Sequence, residues 1–197
     1  MRKTPRQQRA RTTVESIFQA AAHILGQRGW AGFTTNEVAE AAGVSIGSLY
    51  QYFPNKLALA EALRERHLQD VLKALSPPDA WNHRSPTLVR LAEHVVDVVI
   101  AVHTADQPLH RVLLEDVPLA SRASLRKFEA EYQLRYRMLI AASPGERDEE
   151  RDAMAARVLA GAVEGVVHAA ARRGELAAPA LRSELMALVC AYLRRRR

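Results

Sequence analysis

The sequence predicts an all-α protein of about nine helices, and three observations carry that expectation. Apolar residues recur at i, i+3 and i+4 through most of the 197 residues, and no alternating or β-branched run of strand type interrupts them. Helix punctuation is frequent: serine, threonine or asparagine stands before the periodic stretches, and glycine or proline follows them. Between residues 34 and 53, two short helical stretches meet at a glycine turn, the pattern of a helix-turn-helix.

Taken in order, the chain opens on a basic arm, residues 1–12, with Arg2, Lys3, Arg6, Arg9 and Arg11 and no acid. A run of like charge is by default a solvated tail; ahead of a helix-turn-helix it suits phosphate contacts or a minor groove. Thr12 with Glu15 reads as a capping box opening a first helix to about Arg28, with Val14, Ile17, Phe18, Ala21, Ile24 and Leu25 on one face. Gly29 ends it, and Trp30 and Phe33 are expected to pack beneath the head. Thr34 and Glu37 form a second capping box, and Val38, Ala39 and Ala42 give the next helix a small apolar face. Gly43 closes that helix in the left-handed conformation. Ser45 caps the following one, whose Leu49 and Phe53, four apart, face inward until Pro54 stops it.

Asn55 caps a fourth helix, about Lys56 to Leu75, and Ser76-Pro77-Pro78-Asp79 is the best domain break. Ser85-Pro86 starts a fifth helix to about Thr104, and Pro108 and Pro118 bracket a short sixth. A seventh runs from about Leu119 to Ala142. Ser143-Pro144 opens an eighth that ends at Gly174, and Pro179 opens a ninth finishing in Arg194 to Arg197. The expected domains are therefore 1–12, a helix-turn-helix head over 13–56, a connecting helix over 57–75 and a helical body over 76–197.

With Leu49 and Phe53 inward, Ser45, Ile46, Ser48, Tyr50, Gln51 and Tyr52 are left on the outer side of the third helix. Hydroxyls, an amide and phenols without an acid among them suit an element lying on phosphates. Gln51 is able to read an adenine edge, and Ile46 to meet a thymine methyl. The plainer alternative is a helical hairpin inside any α-domain. Gly43-Val44-Ser45-Ile46-Gly47 also matches G-x-S-x-G, the nucleophile elbow, which would make Ser45 the nucleophile of a hydrolase. That elbow needs a strand directly before the serine, and a helix stands there instead.

Composition sets the outer bounds. A net charge of +6 with pI near 9.9 favours a polyanionic partner, and 48% hydrophobic with 25% charged residues is ordinary for a folded soluble chain. The single cysteine, Cys190, allows no internal disulfide and is most simply a small buried hydrophobe. The N-terminus lacks the apolar core of a secretory signal, and the longest apolar run, Val95 to Val102, is broken by Asp97. A cytoplasmic protein without membrane contact is expected.

The stretch G-V-S-I-G-S-L-Y-Q-Y-F-P-N-K, with Thr35, Val38, Ala39 and Ala42 ahead of it, resembles the recognition-helix signature of the TetR family of bacterial transcriptional regulators. The match covers roughly residues 13–60. It departs at Ile46, where a basic residue or proline is frequent, and at Leu57-Ala58, where acidic residues are usual. The resemblance implies a DNA-binding regulator, not an enzyme, most simply a repressor. It would bind a palindromic operator in double-stranded DNA as a homodimer and be released by a small, largely apolar effector, with no cofactor. DNA contacts carried over by position are Thr35, Ser45, Ile46, Gly47, Tyr50, Gln51, Tyr52 and Lys56; Thr34 and Ser48 complete the candidate surface.

The resemblance also implies a C-terminal ligand-binding and dimerisation domain. Effector candidates are the polar residues His94, Asp97 and His103 in the apolar fifth helix, Glu164 and His168 four apart in the eighth, and the ladder Phe128, Tyr132 and Tyr136. The alternative is that the ladder is core and the polar groups pair or reach solvent. The histidines lack the tight spacing of a metal site. Candidate dimer residues are Gly161 and Gly165, where a partner backbone can approach closely, and Leu181, Leu185, Leu188 and Tyr192. A second reading keeps the DNA binding but has the body answer a protein partner, or nothing.

Overall fold

A computed structural model describes residues 8–76, 87–119, 123–143 and 145–194. Among them are nine α-helices, one π-helical turn and no strand. The helices are α1 (Gln8–Gly32), α2 (Thr35–Ala41), α3 (Ile46–Tyr52), α4 (Lys56–Ala74), α5 (Leu88–Ala105), α6 (Gln107–Arg111), α7 (Ala123–Ala142), α8 (Glu149–Arg173) and α9 (Pro179–Arg194), with the π turn at Val112–Asp116. Arg2, Lys3 and Arg6 of the basic arm, residues 77–79 of the expected break, the Ser85-Pro86 cap, Pro144 and residues 195–197 lie outside the described residues.

Two expected caps are corrected. α1 runs through Thr12 to Gln8, so Thr12 lies inside the helix, and Glu15 forms a bidentate pair with Arg66 at 2.6 and 2.8 Å. α8 opens at Asp148, which accepts from the Arg151 amide at 2.8 Å, with Glu149, Glu150 and Asp152 in the first turn complementing the helix dipole. Ser143 instead finishes α7, donating its hydroxyl to the Ile140 carbonyl at 2.7 Å. Gly29 breaks α1 where expected, at φ 66°, ψ −179°.

The chain divides into two compact units. The first comprises Met1–Gln69 and Asp106–Ser124; the second comprises Asp70–Ala105 and Leu125–Arg197. This division differs from the expected domains: α6 and the π turn pack with the N-terminal helices, and the boundary between the compact units falls within α4.

In the first unit, Ile17, Ala21 and Leu25 of α1 are buried with Phe33, Val38, Leu49, Phe53 and Leu59, and with Leu109, Val112, Leu113 and Val117. Phe18 meets Phe53 edge to face, with centroids 5.5 Å apart. Arg64 of α4 is 4% exposed, and its guanidinium donates to the carbonyls of Leu113 (2.7 Å), Val117 (2.5 Å) and Pro118 (3.3 Å). These carbonyls end the π turn, where the helical ladder supplies no donor. His67 Nε2 and His110 Nδ1 are 2.7 Å apart, so one ring nitrogen donates and the other accepts.

In the second unit, Val95, Val96 and Val99 of α5 pack with Leu159, Ala160, Val163 and Val167 of α8 and with Leu185, Val189 and Leu193 of α9. Tyr136, Leu139 and Ile140 of α7 and Val71 and Leu75 of α4 complete this core. α8 is long and apolar enough to cross a bilayer by length and composition, longer than the broken run expected from sequence; 44% of its apolar window is buried in the core.

Candidate functional site

α2, its turn and α3 build the outward surface of the first unit. Gly43, at φ 66°, donates its amide to the Glu40 carbonyl, and the Val44 amide reaches the Ala39 carbonyl at 3.0 Å. This paired closure of α2 is the Schellman arrangement, and it needs a residue at ease in left-handed backbone. Ser45 then caps α3, accepting from the Ser48 amide at 3.1 Å, with the two hydroxyls 2.8 Å apart. Ser45 is therefore a helix cap standing between two helices, not a nucleophile on a strand. Thr34 caps α2 through the Glu37 amide, but the Glu37 carboxylate returns to the Thr34 hydroxyl rather than to its amide, and Arg28 pairs with its other oxygen.

Leu49 and Phe53 are fully buried, as expected. Facing outward are Thr34, Ser45, Ile46, Gly47, Tyr50 and Gln51, with Ser48 half-buried. Two expected contact residues are not on that surface. Tyr52 is 8% exposed, its ring 6.4 Å from that of Phe53, because three positions after Leu49 it shares the inward arc. Thr35 is also 8% exposed, and its hydroxyl lies 3.1 Å from that of Tyr50, which is 42% exposed. Lys56 at the start of α4 is held by a residue the sequence treated as packing alone: its ammonium sits over the Trp30 ring. Phe33 is buried, as expected.

In the second unit, the effector candidates separate into three groups. Phe128, Tyr132 and Tyr136 form a ladder with successive centroid distances of 5.4 and 5.2 Å, and the two tyrosine hydroxyls are 3.2 Å apart. Glu164 joins them through a hydrogen bond with Tyr132. Burial pushes the Glu164 carboxyl above the usual carboxylate range; the Tyr132 bond opposes this and Glu129 adds to it. Burial likewise raises both tyrosine hydroxyls. His103 and His168 meet edge to face at 4.9 Å, with His103 Nδ1 2.7 Å from the Val99 carbonyl. The remaining two are apart from these: His94 bonds the Ser76 carbonyl, and Asp97 is exposed in a bidentate pair with Arg182 at 2.6 and 2.9 Å. Asp97 is therefore corrected to a surface ion pair.

α8 and α9 together present an open apolar groove of about 630 Å³. Val158, Leu188 and Tyr192 line it, Val158 being 49% exposed. Gly161 and Gly165 are exposed on α8, and a Cβ added at either would meet no atom within 4 Å. Of the expected pairing residues, Leu188 and Tyr192 line the groove; Leu185 borders it too, but it is 1% exposed and packs in the unit's own core, and Leu181 packs partly against that core. Val158, Ala162 and Val166 line the groove from α8, and their four-residue spacing marks one apolar face.

Comparison with known proteins bears on both units. The family model for bacterial regulatory proteins of the tetR family matches residues 17–63, and a tetracyclin repressor-like C-terminal domain matches residues 87–193. Among curated relatives, YvkB of Bacillus subtilis, an HTH-type transcriptional regulator, is 40% identical over 57 residues, spanning 29% of this chain and 30% of its own length. YttP of the same organism, a probable HTH-type transcriptional regulator, is 23% identical over 141 residues, or 72% of this chain and 67% of the relative. A TetR-like regulator from Rhodococcus sp. RHA1 shares the fold with a TM-score of 0.70 at 18% identity, covering 97% of this chain and 98% of that one. A Streptomyces coelicolor TetR-family regulator gives 0.65 at 23% identity, covering 94% and 99%. This chain belongs to the TetR family of DNA-binding bacterial transcriptional regulators, and not to the enzymes.

Proposed function

We propose that the chain is a cytoplasmic repressor that binds a pseudo-palindromic operator as a homodimer and is released by a small, largely apolar effector. The observation that carries the reading is the outer face of α3. Ile46, Tyr50 and Gln51 are presented to solvent beside the capped start of the helix, with no acidic residue on α3. Tyr50, Ser45 and Lys56 act as phosphate anchors, and Gln51 and Ile46 meet base edges. Pairing two such heads over half-sites about one turn (~34 Å) apart requires a dimer, and the α8–α9 groove is the face that supplies it. The Tyr132–Tyr136–Glu164 cluster is the effector candidate: aromatic surface with a few polar groups is what an organic ligand of this kind needs.

The mechanism we infer is a population shift in which the effector favours a conformer whose two reading helices no longer fit successive grooves. Selection of bound duplexes from a random DNA pool at physiological salt tests the core of the reading. Enrichment of a pseudo-palindrome, lost in Tyr50→Ala, is expected; enrichment of none by a folded dimer would overturn it. The mutual bonds within the Tyr132–Tyr136–Glu164 cluster favour a second reading, in which these groups are structural and a protein partner, or nothing, controls the DNA binding.

A further inference from the structure

Thr35 stands among the DNA contacts that the family resemblance carries over, yet it is 8% exposed and its hydroxyl oxygen lies 3.1 Å from that of Tyr50. The two side chains come from the two helices of the motif: Thr35 is the first residue of α2, and Tyr50 sits near the end of α3. Tyr50 itself is 42% exposed, against 8% for Thr35.

We propose that Thr35 is a positioning residue that acts on DNA through Tyr50, rather than touching DNA itself. This rests on the DNA-binding reading above. The direction of the hydrogen bond follows from the chemistry of the target. A phosphate oxygen only accepts, so a tyrosine that anchors a phosphate must donate its single hydroxyl proton to it. The Tyr50 oxygen is then left as an acceptor, and Thr35, whose hydroxyl can donate, fills that role. The chain Thr35 O–H to Tyr50 O–H to phosphate is aligned head to tail, and each bond polarises the next. Were Tyr50 to donate to Thr35 instead, it would have no proton for the phosphate. DNA binding therefore selects one of two directions that the free protein can adopt. The bond also fixes the ring on α3 against α2, so the hydroxyl is held in place before DNA arrives.

The test is a double-mutant cycle on affinity for a mixed-sequence duplex at low salt, a sufficient probe because a phosphate contact carries no sequence information. Thr35→Val removes the donor at nearly constant shape, Tyr50→Phe removes the anchor, and Thr35→Ser keeps the donor. Tyr50→Phe should weaken binding on the order of tenfold, the size of one charge-assisted hydrogen bond, and Thr35→Val by roughly three- to tenfold, since it removes the neutral bond that holds the anchor. The double variant should be no weaker than Tyr50→Phe alone, and Thr35→Ser should bind as the wild type. A head merely loosened by Thr35→Val would lose the same factor again in the Tyr50→Phe background, and that additive result overturns the inference, as does unchanged binding by Thr35→Val. If Thr35→Val does not fold, as judged by thermal unfolding, Thr35→Ala takes its place in the cycle. Failure of the DNA-binding reading looks different: the wild type itself would show no affinity for duplex, and both proposals would fall together.

Discussion

The Lys56 ammonium lies 4.2 Å from the centre of the Trp30 ring and 3.4 Å from the Trp30 carbonyl oxygen, across the base of the helix-turn-helix. A half-buried cation over an aromatic face gains about 1 kcal/mol, enough to bias a flexible side chain towards one orientation.

From that pairing, Lys56→Ala should flatten the slope of log affinity against log salt by about 0.9 per site, one phosphate's worth of counterions. Trp30→Leu should leave the slope intact while weakening binding a few-fold, because the charge remains and only its placement is loosened. Affinities measured across a salt series separate the two; an unchanged slope in Lys56→Ala would remove Lys56 from the interface.

Arg64→Met should destabilise the protein by about 3 kcal/mol. Methionine replaces the aliphatic stem of the arginine but not its guanidinium, so the loss comes mainly from the buried carbonyls of Leu113 and Val117, left without that donor. Denaturant unfolding gives the size, and faster amide exchange around the π turn would locate it.

Glu164 sets a pH dependence whose sign can be worked out. Its folded-state carboxyl titrates above its ordinary value of 4.5, so the folded protein holds the proton more tightly than the unfolded chain. The resulting stability is complete below pH 4.5 and is lost as pH rises through the folded value. Glu164→Gln keeps a neutral group at every pH. The thermal midpoint of the variant minus that of the wild type should therefore grow with rising pH and then level off; a flat difference would contradict the burial of the carboxyl.

Gly161→Leu should leave the fold of the single chain intact, since the new side chain meets nothing within 4 Å of its Cβ. On the proposed pairing face it would hold two α8 helices apart. Sedimentation should then show a monomer with wild-type helicity and weakened operator binding; a dimer of unchanged affinity would move the pairing face elsewhere.

Features decided within a few residues were legible in the sequence. The Gly43 closure, the Ser45 cap, and the inward Leu49 and Phe53 are local matters of backbone angle and helical spacing. Tyr52 was misplaced because every residue of the helix but Leu49 and Phe53 was set on the outer side, although its angle places it beside Leu49. Asp97 was misread for a different reason. A charge inside an apolar run suggested an interior role, but its partner is Arg182, 85 residues away, and periodicity carries no signal for so distant a pair. The same blindness hid the membership of Asp106–Ser124 in the first unit, since nothing local in Leu109 or Leu113 says which core they will enter.

That membership has a consequence for the nascent chain. As synthesis proceeds from the N-terminus, α1 to α4 emerge early, yet Leu109, Val112, Leu113 and Val117, and the carbonyls that satisfy Arg64, arrive only after α5 has passed. The head must wait, incompletely packed, until that later segment leaves the ribosome. The same holds for protein grafting: a cut after α4 would carry away the DNA-reading surface but strand its keystone, and a transplantable head would have to take residues 106–124 with it.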